Sequence, residues 1–582
     1  MRELKALCLI CAARIPFLGL CNSISCAPCL VMDMVHHNPG DTPFESKFLD
    51  PGFLSGVGYQ AKVVNDFKAP QSACTFEELD ASIFPVGSVE RKWVDDFAAE
   101  CEANAKACHE QGIECYYFTD IIVLPRSLIK KYVSEICDKH GKVSFGRQKT
   151  LELHRMMLRE MLRRIPSVDG YVIRTGEMYS HNVPYHGGNT PLDFRNGLDG
   201  FVETHAKLIN LLREELCVRG GKKVFYRTWD FRRFHKRPDL YLAITEQVQP
   251  HDNLYFSIKH TSEDYLRYTT FNPTLGIGRH KQIVEVQCQR EYEGKGAYPN
   301  YIVKGAVGGF EENAGVPGLK GIAELSKKPH FAGVWTWSRG GGWEGPYLKN
   351  ELWCEMNAFV MNEWAHHPDA GEEAAFEKFM ERKGVAVESR AAFRKLATLS
   401  ADAVVRGMGN LPPESVKACW TRDHFIGDYK WLKRDYERLV TNGLVKVALA
   451  NKREAVRIWE EIARLAESVR LADKSDECYV RTSAQYGLRL YRIYEAGWTV
   501  TLLGYQGDKT GVYDKEAIAD GIRRYDEAWC NYRRLPDEAP DCATLFDGHF
   551  ARYHISQDHN SIDPVPGMDA EVDRYRKLIG TK

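Results

Sequence analysis

The sequence predicts an α/β fold, a (β/α)8 barrel followed by an all-helical C-terminal domain. Three short apolar segments, at residues 171–177, 254–259 and 283–292, each end in charged residues. Apolar strands that alternate with helical segments are typical of a parallel sheet, because each crossover helix returns the chain to the same edge. Eight such strands predict closure into a barrel, in which the carboxyl ends of the strands carry the chemistry.

The predicted strands are short runs of aliphatic, β-branched and aromatic residues between turn signals. The first, CLVMDMVH, precedes a long polar loop with Pro39 and Gly40, as expected on a catalytic face. The eighth, FAGVWTW, precedes a glycine-rich loop that lacks the Gly-Lys-Ser/Thr ending of a phosphate-binding loop. The strands are predicted at residues 29–36, 58–64, 112–120, 171–177, 223–229, 254–259, 283–288 and 331–337.

Segments with helical periodicity alternate with these strands, and they predominate in the last third of the sequence. Residues 147–165 are strongly amphipathic, and Pro166 ends that helix. After the eighth predicted strand, the sequence gives few further strand signals. We therefore predict a catalytic barrel at 29–369 and a helical domain at 370–582. Barrel helices are predicted at 89–111, 147–165, 200–218 and 240–248, and later helices at 372–382, 389–399, 440–466 and 486–502.

Composition and charge limit the class of protein. A chain of 582 residues is longer than one hydrophobic core normally serves, so two or more domains are expected. The formal net charge is -1, which gives no basic field for nucleic acid. No apolar stretch reaches the length of a transmembrane helix, so we expect no membrane partner.

The cysteines and the first 28 residues bear on the cellular compartment. The 17 cysteines are scattered without zinc-binding spacing, which favours free thiols and a cytoplasmic protein. Residues 1–28 carry Arg2 and Lys5 before a short apolar stretch that Arg14 interrupts. Two interpretations stay open: a weak signal peptide, which would make the protein periplasmic or secreted, or an overlong start of the reading frame.

Three carboxylates at predicted strand ends, Glu177, Asp264 and Glu291, suit the hydrolysis of a glycosidic bond. That reaction needs a protonated carboxyl group at the leaving oxygen and a carboxylate that activates water or attacks directly. Glu177 has three tyrosines nearby in the sequence, and an apolar setting raises the pKa of a carboxyl group, which favours the acid role. Asp264 and Glu291 are then predicted to serve the other side of the sugar.

Three cations, Arg174, Arg227 and Lys259, fall near the ends of predicted strands 4, 5 and 6. Because such groups bind carboxylates, they suit a substrate that carries one. They equally suit the neutralisation of the catalytic acids, and both interpretations stay open. Tyr292 and Trp337 are predicted sugar contacts, since sugar faces lie flat on aromatic rings.

A metal site is the competing interpretation of the histidines near strand 1. His36 and His37 are neighbours, and neighbouring residues on a strand point to opposite faces, so one ion cannot easily take both. Asp33 and His181 add candidate ligands, but no His-x-His or His-Glu-x-x-His spacing occurs at the strand ends. We predict no metal and no cofactor.

Three short segments carry a resemblance to a known enzyme family: EVQCQREYEG at 285–294, KHTSEDY at 259–265 and YVIRTGE at 171–177. They resemble segments of glycoside hydrolase family 67, the α-glucuronidases. The counterparts there are a strand 7 segment with Gln-Glu-Tyr before a glycine, the segment Lys-Asn-Gly-Pro-Ile-Asp-Phe, and a strand 4 that ends in Lys-Ala-Asn-Ser-Glu. The arginine of the family's strand 5 Trp-Arg falls on Arg227.

The resemblance implies an inverting, metal-independent, exo-acting α-glucuronidase. It would remove glucuronic acid, or its 4-O-methyl form, from an acidic oligosaccharide or polysaccharide such as xylan. Glu177 would protonate the leaving oxygen, and Asp264 and Glu291 would hold and deprotonate the water. The family's helical C-terminal region is often used in dimers, which implies a homodimer through 370–582. The C6 carboxylate would be bound by Arg174, Arg227 and Lys259.

The sequence also departs from the family, and other interpretations follow. Residues 34–40 stand where the family has Asn-His-Trp-Asp-Asn, Arg174 replaces a lysine one residue farther from the acid, and we expect no counterpart of the N-terminal β-rich domain. The leaving group need not be xylan-derived, so a barrel glycosidase for another uronic acid, such as galacturonic acid, stays open. A non-catalytic carbohydrate-binding protein on a barrel scaffold is disfavoured by the presence of all three carboxylates.

Overall fold

Eight parallel strands close into a barrel, followed by a helical C-terminal region, which confirms the predicted fold class. The computed structural model describes residues 29–37, 43–66, 68–176, 183–191, 197–230, 233–342, 346–409, 428–545, 553–555, 562–564 and 568–580. The barrel strands are β1 Leu30–His36, β2 Ala61–Val64, β3 Glu114–Asp120, β4 Gly170–Arg174, β5 Lys223–Arg227, β6 Leu254–Lys259, β7 Lys281–Gln287 and β8 Phe331–Gly340.

The strands follow one another around the barrel in sequence order, and β8 pairs with β1 to close it. The register places polar residues of neighbouring strands side by side near their carboxyl ends. The paired positions are Asp120 with Arg174, Arg227 with Ser257, Lys259 with Glu285, and Gln287 with Trp337. Four separate strand pairs therefore bring charged and polar side chains to one end of the barrel.

The barrel interior is a packed apolar core with this polar layer above it. Its buried residues include Met32, Val63, Phe118, Val172, Phe225, Ile283 and Trp335. Successive side chains on a strand alternate between faces, so the residue two positions later points the same way. Asp120, Arg174 and Arg227 each follow a core residue by two positions and therefore also point into the barrel. The same alternation explains why apolar strands end in charges.

Ten helices of the described chain accompany the barrel. The long helix at 89–110 begins after Ser88, whose hydroxyl accepts from the Arg91 amide at 3.1 Å and so caps the first turn. The helices are α1 Pro51–Gly56, α2 Val89–Glu110, α3 Arg126–Lys131, α4 Val133–Ile136, α5 Gln148–Arg164, α6 Gly197–Leu212, α7 Pro238–Thr245, α8 Val303–Gly308, α9 Ile322–Leu325 and α10 Leu352–His366.

The predicted helix at 200–218 begins earlier and changes type before its end. After α6 the chain continues as a π-helix at Arg213–Arg219. The π-helical turn carries Glu215, whose side chain is 3% exposed and accepts from Arg155, Arg159 and Arg219 at 2.7 to 3.0 Å. Two of these arginines lie on α5, so the irregular turn joins two barrel helices through one buried carboxylate.

The C-terminal helices lie against loops at the carboxyl ends of the strands. Tyr479 donates to the Gly296 carbonyl at 3.0 Å, in the loop after β7, and Tyr298 of that loop bonds to Tyr491 at 3.1 Å. Arg267, in the loop after β6, donates to the Ala401 carbonyl. These helices are α11 Gly371–Arg382, α12 Val387–Met408, α13 Asp428–Thr441, α14 Val445–Ser468, α15 Lys474–Thr510, α16 Lys515–Arg533, α17 Leu535–Glu538 and α18 Met568–Ile579.

Smaller features complete the description. Two two-stranded sheets pair Leu124–Pro125 with His186–Gly187, and Tyr553–Ile555 with Ile562–Pro564. Within the described ranges, none of the helices combines the length and the apolar character needed to span a bilayer.

The seam between β1 and β8 contains a fully buried carboxyl group. Asp33, on the outer face of β1, accepts from Thr336 Oγ1 at 2.6 Å, Ser338 Oγ at 2.7 Å and Ser338 N at 3.1 Å. Burial raises the pKa of Asp33 to about 7, although these three hydrogen bonds act in the opposite direction. The seam leads into the glycine-rich loop after β8, so Asp33 helps to fix the start of that loop.

Asp33→Asn is expected to flatten the pH dependence of stability. A carboxyl group with a raised pKa in the folded state favours folding below its unfolded pKa and loses that contribution as pH rises through about 7. A shift of this size corresponds to about 4 kcal/mol between pH 4 and pH 8. Urea unfolding across that range measures the difference between wild type and variant. A difference that does not change with pH contradicts the prediction; Asp252→Asn, at a site 95% exposed, is the control.

Candidate functional site

The predicted site residues mostly converge at the carboxyl end of the barrel. Arg174, Arg227 and Lys259 are the last residues of β4, β5 and β6, and all three are buried. Asp264 and Glu291 lie in the loops after β6 and β7, with Tyr292 beside Glu291, and Trp337 lies within β8. Glu177, the predicted general acid, falls outside the described residues.

Arg227 forms a buried two-point ion pair with Glu285, a residue that the sequence analysis did not single out. Arg227 Nε and Nη2 donate to the two carboxylate oxygens of Glu285 at 2.9 and 2.7 Å, and the side chains are 1% and 0% exposed. Ser257 and Tyr265 also donate to Glu285, at 2.9 and 2.7 Å. Burial alone would raise the pKa of Glu285, but Arg227, Lys259 and Tyr265 leave that pKa lowered. Both side chains of the pair are therefore charged, and their opposite charges cancel.

Arg174 also pairs with a buried carboxylate that sequence reasoning missed. Arg174 Nε donates to Asp120 Oδ1 at 2.6 Å, and the two side chains are 2% and 5% exposed. The guanidinium lies over the Phe118 ring, 5.0 Å from its centroid. Asp120 ends β3, so an acidic residue at a predicted strand end was the available signal.

Lys259 lies between two aromatic rings and reaches the loop carboxylate Asp264. Its Nζ is 3.8 Å from the centroid of Trp229 and 4.3 Å from that of Tyr265. The same Nζ pairs with Asp264 Oδ1, and the Tyr292 hydroxyl donates to Asp264 Oδ2. Both oxygens of Asp264 thus accept strong donors, while its side chain remains 22% exposed.

Glu291 lies in the loop after β7, next to the glycine-rich loop after β8. Its backbone N–H donates to Gln287 Oε1 at 2.7 Å, which ties the loop to the last residue of β7. A Cβ added at Gly341 would lie less than 3.0 Å from Glu291 Oε2, so the two loops touch at the carboxylate. Because Tyr292 reaches Asp264, one loop connects the two predicted water-activating residues.

Trp337 lies inside the barrel, against the charged residues of the site. Its ring is stacked with His36 at 4.8 Å between centroids, and Arg227 lies over it at 4.9 Å. The ring is 5% exposed, and its Nε1 has no hydrogen-bond partner within the described chain. His36 is fixed in turn by Asn65, at 2.5 Å from His36 Nδ1.

Asp33 and the histidines were the candidate ligands of a metal ion. In the part of the chain that the structure describes, no group of three or more His, Cys, Asp or Glu side chains is arranged to hold a metal ion. Asp33 points to the outer face of β1, while His36 stacks on Trp337 inside the barrel. His181 lies outside the described residues.

Known proteins resemble this chain in fold and not in sequence. No protein-family model and no curated protein matches the sequence. A GH138 enzyme targeting pectin rhamnogalacturonan II is 13% identical with a TM-score of 0.57, over 95% of this chain and 67% of that chain. A mutant of the Thermobaculum terrenum O-GlcNAc hydrolase is 11% identical with a TM-score of 0.39, over 95% and 94% of the two chains. The first likeness shows a shared fold, and both neighbours are glycoside hydrolases.

Proposed function

We propose that this chain is a glycoside hydrolase that removes a uronic acid from the end of a glycan chain or side chain. The observation that carries the proposal is the hydrogen bond from Tyr292, the neighbour of Glu291, to Asp264, which pairs with the buried cation Lys259. Glycosidic hydrolysis needs carboxylates on both sides of the reacting bond. A cation within the same cluster suits a substrate that carries its own carboxylate.

In the proposed mechanism Glu177 protonates the leaving oxygen, and the loop carboxylates Asp264 and Glu291 act on the attacking water. The anomeric carbon is attacked from the face opposite the leaving group, so the configuration inverts. Of the three cations, Lys259 pairs with a carboxylate that reaches solvent, whereas Arg174 and Arg227 pair with carboxylates that are 5% and 0% exposed. We therefore assign the main contact with the substrate carboxylate to Lys259. The two arginines position the aromatic rings that they cover, Phe118 under Arg174 and Trp337 under Arg227.

The uronic acid has two candidate identities. The resemblance of three sequence segments to family 67 favours an exo-acting α-glucuronidase on glucuronic acid or its 4-O-methyl form. The fold shared with an enzyme that targets pectin rhamnogalacturonan II favours a pectic acid such as galacturonic acid. The two sugars differ only in the configuration at C4, so the same carboxylate contact serves both.

The test is to incubate the purified protein with two sets of oligosaccharides and to follow the released sugar by NMR. One set carries glucuronic acid or its 4-O-methyl form on xylo-oligosaccharides; the other consists of pectic oligosaccharides with terminal galacturonic acid. Release of the β-anomer first from an α-linked substrate is the expected result. No release from either set, with binding retained, would instead support a carbohydrate-binding protein.

Lys259→Met is expected to remove much of the preference for an acidic substrate. A hydrogen bond to a charged group contributes about 1.5–3 kcal/mol, which corresponds to roughly 10- to 100-fold in kcat/KM for the uronide. The methyl ester of the same substrate carries no charge, so its kcat/KM should change far less. Assays of both substrates measure the ratio, with Lys281→Met, 40% exposed at the start of β7, as the control. Equal losses on acid and ester would contradict the assignment.

A further inference from the structure

Two half-buried aromatic rings and an exposed cation meet on the rim of the barrel. Trp93 lies near the start of α2, and Tyr185, in the loop after β4, approaches it edge to face at 6.0 Å between ring centroids. Arg126 begins α3, and its backbone N–H donates to the Tyr185 carbonyl at 2.9 Å. We call Trp93, Arg126 and Tyr185 the rim cluster. Because the loops after the strands lie at the carboxyl end of such a barrel, the cluster is on the face that carries Lys259.

The Arg126 side chain lies along the segment after Tyr185 and is not neutralised. A Cβ built on Gly187 would lie 3.7 Å from Arg126 Cγ and 4.0 Å from Arg126 Nε. Burial lowers the pKa of His186 to about 4, and the positive charge of Arg126 acts in the same direction. Arg126 is exposed, and within the described ranges its side chain forms no hydrogen bond or ion pair. By contrast, Lys131 of the same helix pairs with Asp80. The rim cluster therefore carries an uncompensated positive charge.

The two rings of the rim cluster are held in place at the surface. Trp93 stacks on Phe97 at 5.7 Å between centroids, with 25° between the ring planes. Val89, one helical turn before Trp93, is 73% exposed, so the apolar surface extends along α2. Tyr185 has φ +63°, a strained conformation for a bulky residue, and strain of this kind concentrates at binding sites. Tyrosine and tryptophan join an apolar ring to one hydrogen-bond donor, which suits the faces and hydroxyl groups of a sugar.

We propose that the rim cluster is a second sugar subsite, which binds an acidic sugar of the same glycan beyond the residue that is removed. This inference rests on the proposed function and adds to it a preference for glycans with more than one acidic sugar. The rings of Trp93 and Tyr185 contact the sugar, and the Arg126 guanidinium pairs with its carboxylate. A glycan that reaches both Lys259 and Arg126 binds more tightly than a single uronic acid, because the second contact forms within one complex.

Two variants test the subsite by calorimetry with a tetrasaccharide of galacturonic acid. The Glu177→Gln background lacks the proposed acid and keeps the probe intact. Arg126→Met is expected to raise Kd about 3- to 5-fold, the size of an exposed ion pair. Tyr185→Asn removes the ring, keeps a residue type that tolerates positive φ, and is expected to raise Kd about 5- to 10-fold. Arg453→Met, at an exposed arginine of α14 that is unpaired in the described chain, is the matched control.

Two further probes separate charge from length. Free galacturonic acid occupies one subsite only, so its Kd should be the same for both variants and their parent. The fully methyl-esterified tetrasaccharide has no carboxylate for Arg126, so Arg126→Met should leave its Kd within twofold. Equal losses on acid and ester would overturn the role of Arg126. A parent protein that binds the acidic tetrasaccharide no more tightly than the free sugar would overturn the subsite itself.

The outcomes also separate this inference from the proposed function. If wild type releases a uronic acid but neither variant changes the Kd of the tetrasaccharide by more than twofold, the subsite is refuted while the proposed function stands. If both variants weaken binding but wild type releases no uronic acid from any substrate, the subsite stands as a glycan-binding site and the proposed hydrolysis fails. Arg126→Met alters an exposed side chain, so the test does not depend on the folding of Tyr185→Asn.

Discussion

Glu291→Gln is expected to lower kcat by about 10²–10⁴-fold, the usual contribution of a general base. The substitution keeps the shape of the side chain and removes the carboxylate that we propose takes the proton of the attacking water. The hydrogen bond from the Glu291 backbone N–H to Gln287 Oε1 does not involve the Glu291 side chain and should persist. KM should therefore change little. Initial rates on a uronide substrate, with circular dichroism as a check on folding, measure the effect.

The leaving group distinguishes a lost base from a lost acid. An aryl leaving group departs without protonation, so Glu177→Gln should recover much of its activity on an aryl uronide, whereas Glu291→Gln should not. Glu263→Gln is the matched control: its carboxylate is 22% exposed in the neighbouring loop and pairs with Lys236, and kcat should stay within twofold. A Glu291→Gln enzyme that retains more than a tenth of wild-type kcat would show that another group is the base.

The strands of this barrel were predictable because each is encoded locally. An apolar run of five to seven residues identifies a strand of a parallel sheet without knowledge of its neighbours. Alternation then sets which residues point inward, so the positions of Arg174, Arg227 and Lys259 at the mouth followed from their distance to the core residues of the same strand. The boundaries of β6 agree with the predicted ones at both ends, Leu254 and Lys259.

The partners of those cations were not predictable, because they depend on which strands lie side by side. Glu285 is 58 residues from Arg227 in sequence, and Asp120 is 54 residues from Arg174. Glu285 follows the core residue Ile283 by two positions, so alternation places it inside the barrel, but only the register between β6 and β7 shows which cations it lies beside. The aromatic rings beside Lys259 come from two different loops for the same reason.

The buried backbone of the loops after β6 and β7 illustrates a second limit. Tyr265 has φ +56°, and Arg290 has φ +60°, conformations that sequence patterns do not indicate for such residues. In this conformation Tyr265 reaches both Glu285 and Lys259. Arg290 donates to Glu293 at 2.8 Å and to the Tyr265 carbonyl at 2.6 Å, which joins the loops after β6 and β7. The tertiary contacts hold a backbone geometry that local propensity opposes.

Glu285→Gln is expected to destabilise the protein by about 3–5 kcal/mol, because it leaves the Arg227 guanidinium buried without a counter-charge. The pKa of Glu285 is lowered in the folded state, so its contribution is present above the unfolded pKa and is lost as pH falls through the folded pKa. The destabilisation should therefore be largest near neutral pH and smaller in acid. Urea unfolding at several pH values measures both features. Asp252→Asn, in a surface pair with Lys281, should cost less than about 1 kcal/mol.

A double variant decides whether the ion pair serves stability or the site. Arg227→Met combined with Glu285→Met replaces both charges with apolar side chains, and such replacements of buried pairs are often neutral or stabilising. Recovery of stability is therefore expected. Activity should remain low, because Arg227 no longer lies over Trp337 and Glu285 no longer holds Tyr265, which borders Lys259. A double variant that is both stable and fully active would show that this buried pair has no part in shaping the site, and that the remaining cations and loop carboxylates suffice.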